Sequence, residues 1–370
     1  MSTNTVRRPE AKVERIEVGA YRIPTDAPEA DGTIEWDSTT LVVVHVHGGE
    51  QVGMGYGFAD DATATLIDRK LSKFVQEKDA LAVPECWAAM LHAIRNLGRP
   101  GISSMAVACV DNALWDLKAK LLGLPLVDLW GRMRQRIPIY GSGGFTSYSI
   151  ERLQEQLGGW AASGIKRVKM KIGTDPKSDL RRVMAACEAV GKDVELFVDA
   201  NGAYTRKQAL KFAHAFAELG VTWFEEPVSS DDLDGLRLLR DQGPPGMAIA
   251  AGEYGYDLPY FHRMLAAGAV DVLQADATRC AGISGFLQVG ALCAAHCIPL
   301  SSHTAPLLHM HPCCALGPAV HMEYFHDHVR ILQMLFDGVI EPKEGSLEPD
   351  LSRPGLGLEF KRADAARYAL

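Results

Sequence analysis

Apolar and polar positions follow two rhythms along the chain, and the change comes near residues 130–137. Before it, Ile16, Val18 and Ala20 alternate with polar neighbours, and Leu41 to Val46 is a dense β-branched run ending at Gly48-Gly49. Alternation of period two with a glycine stop predicts a small antiparallel sheet. Helical spacing follows over roughly 61–75, 83–97 and 102–122. Strands first and helices afterwards describe a compact α+β domain. Between its first two strands, residues 25–37 (TDAPEADGTIEWD) read as a loop too long for a simple hairpin. Long loops inside compact domains are commonly functional.

After the short basic stretch GRMRQRIP the pattern becomes strand–helix alternation. Apolar segments recur at 138–140, 167–172, 195–198, 222–224, 248–251, 270–273 and 299–301, and an eighth ends near Glu323. Leu180, Val183, Met184, Cys187 and Val190 trace one helical face between two of them. The next helix opens with Thr205 and Gln208, a capping-box spacing, and stops at Gly220. Repeated βα units predict a parallel sheet, and eight strands close into a barrel. A doubly wound open sheet is the competitor, but no glycine-rich phosphate fingerprint follows any strand.

Composition narrows the function class. A chain of 370 residues has room for two or three domains at about 150 residues each. It is 47% hydrophobic and 23% charged, which fits a globular enzyme and not a disordered chain. Net charge is −8 and no block of five like charges occurs, against a nucleic-acid or anionic-membrane surface. The start, MSTNTVRRPE, lacks the apolar stretch of a secretory signal, and no 18-residue apolar run follows. Eight cysteines without a CxxC pair read as free thiols in a reducing compartment, so a cytoplasmic protein is expected.

In a barrel the chemistry sits where strands end. Those ends carry Lys169 and Lys171, Asp199 and Asn201, Glu225 and Glu226, Glu253, Asp276, His303 and Glu323. Asp199, Glu225 and Glu253 end three consecutive strands and can converge on one point. Three clustered anions repel unless a cation intervenes, and oxygen-only ligands suit Mg²⁺. Glu226 and Asn201 are secondary candidates. In Lys169-Met170-Lys171 the strand period puts both ammonium groups on one face, where mutual repulsion is expected to lower one pKa into the range of a base. Asp276 beside His303 forms an acid/base dyad. Glu323, if protonated, can hydrogen-bond a substrate carboxylate. His309, His311, Cys313, Cys314, His326 and His328 mimic a soft-metal cluster, but their spacing fits no zinc template.

This ordered set resembles the enolase superfamily, and within it the mandelate racemase subgroup. KMK at 169–171, FVDANG at 197–202, WFEEP at 223–227, AGE at 251–253, the Asp276/His303 pair and Glu323 stand in the family's order. The muconate-cycloisomerase sibling places a lysine motif on the sixth strand, where this chain has Ala275-Asp276-Ala277-Thr278-Arg279. The resemblance implies an α/β fold: an N-terminal α+β capping domain (1–132), a modified (β/α)7β TIM barrel (133–335) and a C-terminal segment returning to the cap (336–370). It implies Mg²⁺ on Asp199, Glu225 and Glu253. Lys171 becomes a base assisted by Lys169, His303 polarised by Asp276 the acid/base on the other face, and Glu323 a support for the enediolate. Residues 25–37, with Trp36, are expected to close over a small-molecule carboxylate substrate, with Ser142, Asn201 and Arg279 as further contacts. Homo-oligomers, often octamers, are common in the family. Dehydration of a sugar acid and racemisation or epimerisation of a 2-hydroxy acid share the first step; the resemblance implies dehydration of an aldonate or aldarate to a 2-keto-3-deoxy acid, the subgroup's commoner reaction, with racemisation or epimerisation as the alternative. A non-catalytic metal- and acid-binding scaffold is the remaining alternative.

Overall fold

The computed structural model describes residues 10–370. Residues 1–9, most of the start read above for a secretory leader, lie outside the described residues. The first sheet has three antiparallel strands, β1 (Arg15–Ala30), β2 (Glu35–Gly48) and β3 (Gln51–Phe58), in that order. Pairing of β1 with β2 runs from Arg15 opposite His47 to Ala30 opposite Glu35, with an irregularity between Pro24 and Glu29. Residues 25–37 are therefore a hairpin extended well beyond the sheet, and not the open loop expected from sequence. Pro24 and Pro28, which lack an N–H, sit at the irregularity, where the ladder needs fewer donors. The turn is closed by Asp31, whose Oδ1 accepts from the backbone N–H of Thr33 (2.6 Å) and Ile34 (2.9 Å).

Behind this sheet the first helical stretch is continuous but passes through a π-turn, Asp61–Leu66, Ile67–Leu71 and Ser72–Val75. The next helix, Val83–Ala93, ends short of the expected 97, and the third spans Ile102–Leu121. This long helix lies against β3, where Gly53, Gly55 and Gly57 alternate. A Cβ at Gly53 would stand 2.2 Å from the carbonyl oxygen of Ala113, and one at Gly55 2.4 Å from that of Cys109. The glycine stripe is what lets helix and sheet approach.

The second layer is a closed barrel of eight parallel strands: β4 (Ile137–Gly143), β5 (Arg167–Lys171), β6 (Glu195–Asp199), β7 (Trp223–Glu225), β8 (Ala248–Ala251), β9 (Val272–Ala275), β10 (Leu300–Ser302) and β11 (Ala319–Phe325). Closure is made by β11 against β4, with Glu323 opposite Tyr140. Helices cover the outside. The helix Arg206–Glu218 carries the expected capping box of Thr205 and Gln208, and Gly220 beyond its end has φ +85°. Tyr140, Phe197, Trp223, Ala250 and Val272 fill the barrel interior, with the Phe197 and Trp223 rings stacked at 5.0 Å. The helix Asp179–Val190 corrects one expectation. Val183 and Val190 are buried with Ala186, but Leu180 and Met184 face outward, because the small alanine side of the helix lies on the barrel.

The last residues run back to the first sheet. Arg362 pairs with Glu17 at 2.8 Å, Phe360 packs on Tyr21 with ring centroids 5.1 Å apart, and the Leu370 N–H donates to the Ala20 carbonyl at 3.0 Å. Among the described residues no helix is long and apolar enough to cross a membrane.

Candidate active site

Register brings the strand-end residues to one level. Lys171 stands opposite Asp199, and Asp199 opposite Glu225. Glu253 follows β8 by way of Gly252, whose φ is +137°; a Cβ there would lie 2.1 Å from the Gln274 carbonyl oxygen. Asp199, Glu225 and Glu253 each present an oxygen within 4.8 Å of the others, and all three are buried. Burial and the neighbouring Asp199 push the Glu225 carboxyl well above its ordinary range. Glu253 Oε2 is buried without a hydrogen-bond partner. Three converging oxygens, one of them orphaned, fit a hard divalent cation. Glu226 is also buried, at φ +37°, but it lines a neighbouring cavity of about 580 Å³.

The lysines overturn the sequence expectation. Burial pulls the Lys171 ammonium down and the charge of Lys169 adds to that, but Asp199, bonded to its Nζ, together with Glu253 and Glu225 holds it above its ordinary value. Lys169 is fully buried and held by Glu225, by Glu323 (2.8 Å) and by Asp199 (3.4 Å), with the Tyr140 ring 5.3 Å away. Burial pulls it down too, and the carboxylates win. Carboxylates from other strands, and not lysine–lysine repulsion, set both groups. Glu323 is corrected with them: burial pushes its carboxyl up, while Lys169, His303 and Lys171 hold it well below the usual range, so it is ionised. Its Oε2 accepts the Thr304 N–H at 2.8 Å.

His303 Nδ1 meets Asp276 Oδ2 at 2.9 Å, and its Nε2 faces Glu253 Oε2 at 3.4 Å. Burial raises Asp276, but the hydrogen bond and charge of His303 overcome it and keep the carboxylate ionised. Asp276 is also held by the N–H (2.6 Å) and hydroxyl (2.7 Å) of Thr278. His309 supports the dyad from beneath: its Nε2 accepts the Ala277 N–H at 2.7 Å, leaving Nδ1 to donate to the Thr304 carbonyl at 2.9 Å. Thr304 and Ala305 both have positive φ, +48° and +40°, a strained turn that aims the Thr304 hydroxyl at Asp276 (3.2 Å).

A cavity of about 420 Å³ opens above these groups. Lys171, Asn201, Glu253, Asp276, Arg279 and His303 form its barrel side, and Trp36 reaches it from the cap. Ser142 does not reach it: the residue is fully buried in β4, beside Lys169 in register. Arg279 bonds the Glu253 carbonyl (3.1 Å) and carboxylate (3.5 Å). The hairpin tip closes over the mouth, with the Asp31 carbonyl accepting from the hydroxyls of Thr146 (2.8 Å) and Thr174 (2.6 Å). Asp31, within the stretch 25–37 expected to cover the substrate, lines the cavity as well; Phe58, Asp60 and His328 also line it, and sequence reading missed them as site residues because the end of β3 and the helix after β11 approach it only through tertiary contacts.

The histidines and cysteines of 309–328 do not gather around one point. His311 Nε2 faces the Leu356 carbonyl at 3.3 Å, and Cys313 and Cys314 are buried free thiols. His328 stacks on Phe58 at 3.4 Å, and burial pushes its imidazole down to about 3. His326 does lie within ligand reach of Asp26 and Glu29, but it pairs with Asp26 at 3.1 Å, and Arg152 stands 3.5 Å from the same carboxylate. That corner already holds its positive charge.

Residues 152–365 match the Enolase C-terminal domain-like family, and residues 17–131 match the Mandelate racemase / muconate lactonizing enzyme, N-terminal domain. The chain is 31% identical over 361 residues to a 3,6-anhydro-alpha-L-galactonate cycloisomerase of Streptomyces coelicolor, covering 95% of this chain and 98% of the relative. It is 31% identical over 324 residues to an arabinonate dehydratase of Saccharolobus solfataricus, covering 84% and 85%. A crystal structure of a mandelate racemase/muconate lactonizing enzyme-like protein from Rubrobacter xylanophilus superposes with TM-score 0.95 at 58% identity, covering 97% of this chain and 100% of that one. An L-talarate dehydratase from Polaromonas, complexed with Mg and L-glucarate, superposes with TM-score 0.88 at 27% identity over 97% and 98%. With both domains matched in order and the strand-end set in place, the chain belongs to the mandelate racemase/muconate lactonizing enzyme family of the enolase superfamily.

Proposed function

We propose that the protein is a Mg²⁺-dependent dehydratase that converts a sugar acid to a 2-keto-3-deoxy acid. The observation that carries this reading is the placement of two proton-transfer groups at the two ends of one carboxylate cluster: Lys171 on Asp199, His303 on Glu253. Bound to Asp199, Glu225 and Glu253, Mg²⁺ supplies a Lewis acid for the substrate carboxylate and positive charge that offsets the anionic field around Lys171. Lys171 takes the α-proton in a first step, leaving the electron pair of the broken C2–H bond delocalised into the substrate carboxylate, and in a second step that pair forms the C2–C3 double bond as the C3–O bond breaks. His303, protonated and steadied at Nδ1 by Asp276, gives the Nε2 proton to the departing hydroxyl, which leaves as water. The resulting enol tautomerises to the ketone. Lys169, locked among Glu225, Glu323 and Asp199, holds the carboxylates in place.

The same first step serves a racemase or epimerase, in which a proton returns to the α-carbon in place of β-elimination. A sugar-acid library incubated with Mg²⁺ in D₂O separates them. Keto acid from one or a few compounds is the expected result. α-Deuterium without keto acid would replace dehydration by racemisation or epimerisation, and substrate binding without either product would leave only a scaffold.

We further assign 1–132 to the cap, 133–335 to the barrel and 336–370 to the returning segment. Eight unpaired cysteines support a cytoplasmic site of action. Exposed Leu180 and Met184, one turn apart on an outer helix, support assembly of several copies, which sedimentation can measure.

A further inference from the structure

The cavity has a floor and a roof of different chemistry. All the cationic side chains that line it, Lys171, Arg279 and His303, belong to the barrel floor, and each already faces carboxylates of the cluster or of Asp276. The roof is made by the cap hairpin and the end of β3. Residues 25–37 contain five acids (Asp26, Glu29, Asp31, Glu35 and Asp37) and no lysine or arginine. Of the roof groups that line the cavity, Asp31 and Asp60 are carboxylates and Ser38 and Thr39 are hydroxyls. Among the described residues no lysine or arginine lines the roof. Of the guanidiniums beside the hairpin, Arg330 is committed to Asp327 and to the Pro24 carbonyl at 2.6 Å, and Arg152 stands 3.5 Å from Asp26. His328 is a neutral imidazole stacked on Phe58.

A sugar acid whose carboxylate lies over the floor must point its remaining carbons at this roof. Neutral hydroxyls can donate to Asp31 and Asp60 in charge-assisted bonds. A second carboxylate has no proton to donate and would meet two like charges with no cation to pair it. Resting on the sugar-acid reading above, we propose that the roof selects monocarboxylic sugar acids with a neutral polyhydroxyl tail and rejects the dicarboxylic acid of the same configuration.

The test uses matched pairs that differ only at the terminal carbon: D-gluconate with D-glucarate, D-galactonate with galactarate, and D-arabinonate with its diacid. Keto-acid formation with Mg²⁺ gives kcat/KM for the wild-type protein, and calorimetry on Lys171→Ala gives affinity independently of turnover. The expected result is a preference for the monoacid on the order of 100-fold within the best pair. Asp60→Asn, which keeps an effective N-cap for the helix Asp61–Leu66, should narrow that ratio about tenfold by improving the diacid. Equal or better use of the diacid, or tighter binding of it by Lys171→Ala, overturns the proposal. Tighter monoacid binding without keto acid from any compound would sustain the roof's selectivity while removing dehydration. Keto acid from diacids alone would do the reverse.

Discussion

Lys169 and Lys171 leave one strand two residues apart, yet only Lys171 reaches the cavity. Lys169 has no route to a substrate proton and acts as a buried counter-charge. On the other side, His303 is fixed at Nδ1 by Asp276, and its Nε2 faces Glu253 at 3.4 Å. The two side chains therefore have separable duties. Lys171→Ala should reduce both α-proton exchange and keto-acid formation by roughly 10²- to 10⁴-fold, the usual contribution of a general base. His303→Asn should suppress keto-acid formation by a similar factor while α-deuterium still enters from D₂O, because the base is untouched. NMR of recovered substrate reads both quantities. Parallel loss of exchange and elimination in His303→Asn would merge the two duties and remove the assignment of His303 to the leaving group.

The hairpin of β1 and β2 is the element that turns an open barrel end into a closed cavity. Its tip fits through the absence of one side chain: a Cβ on Gly32 would stand 2.4 Å from the Ala200 carbonyl oxygen and 2.7 Å from that of Ile172. Gly32→Ala should lift the tip and lower kcat/KM on the order of 10- to 100-fold with the melting temperature little changed, and unaltered kinetics would take the tip out of closure. Lower in the same hairpin, Trp36 Nε1 donates to Glu29 at 2.9 Å. Burial, then the charges of Asp327 and Asp26, push the Glu29 carboxyl up to about 8, against the hydrogen bond of Trp36 and the charge of Arg330. A raised carboxyl favours the folded state fully below its unfolded pKa, and that contribution is lost as pH rises towards about 8. Thermal melts of the wild type should fall between pH 5 and 9, and Glu29→Gln, whose amide oxygen still accepts from Trp36, should flatten the fall by about 2–4 °C. Equal slopes would mean Glu29 is not the linked group. Neither feature was legible in residues 25–37, where prolines and acids break the period-two pattern and only pairing with β2 restores it. The glycine stripe of β3 hid that strand in the same way. Barrel strands, buried on both faces, announce themselves as dense apolar runs, and the charge at each strand end is visible without knowing what faces it. The protonation states were not, since the carboxylates that govern Lys171 and Glu323 come together only in the closed barrel.

Cap, barrel and returning segment are joined by polar groups that leave no slack. Asp111 on the helix Ile102–Leu121 accepts the N–H (2.8 Å) and hydroxyl (2.7 Å) of Ser284 at the start of a barrel helix, and Asn112 donates to the Ala277 carbonyl at 3.2 Å, next to Asp276 of the Asp276/His303 pair. One turn on, fully buried Asp116 takes the Met54 N–H of β3 at 2.7 Å and the Leu356 N–H of the returning segment at 2.6 Å, with Lys120 at 2.6 Å as its counter-ion. One carboxylate thus ties three stretches that are distant in sequence, and the approach is tight enough that a Cβ on Gly355 would lie 2.1 Å from its Oδ1. Asp116→Ala would leave two buried N–H groups without an acceptor and Lys120 without its partner. The expected loss is about 3–5 kcal/mol, read as a lower midpoint in chemical denaturation. Lys120→Ala removes only the more exposed member and leaves both N–H bonds intact, so its loss should be nearer 1 kcal/mol. If the two variants melt alike, the ion pair alone matters and the three-way tie does not hold the molecule. If Asp116→Ala is much the weaker while its kcat per folded molecule stays near wild type, the tie governs docking of the returning segment on the cap and leaves the chemistry to the strand ends.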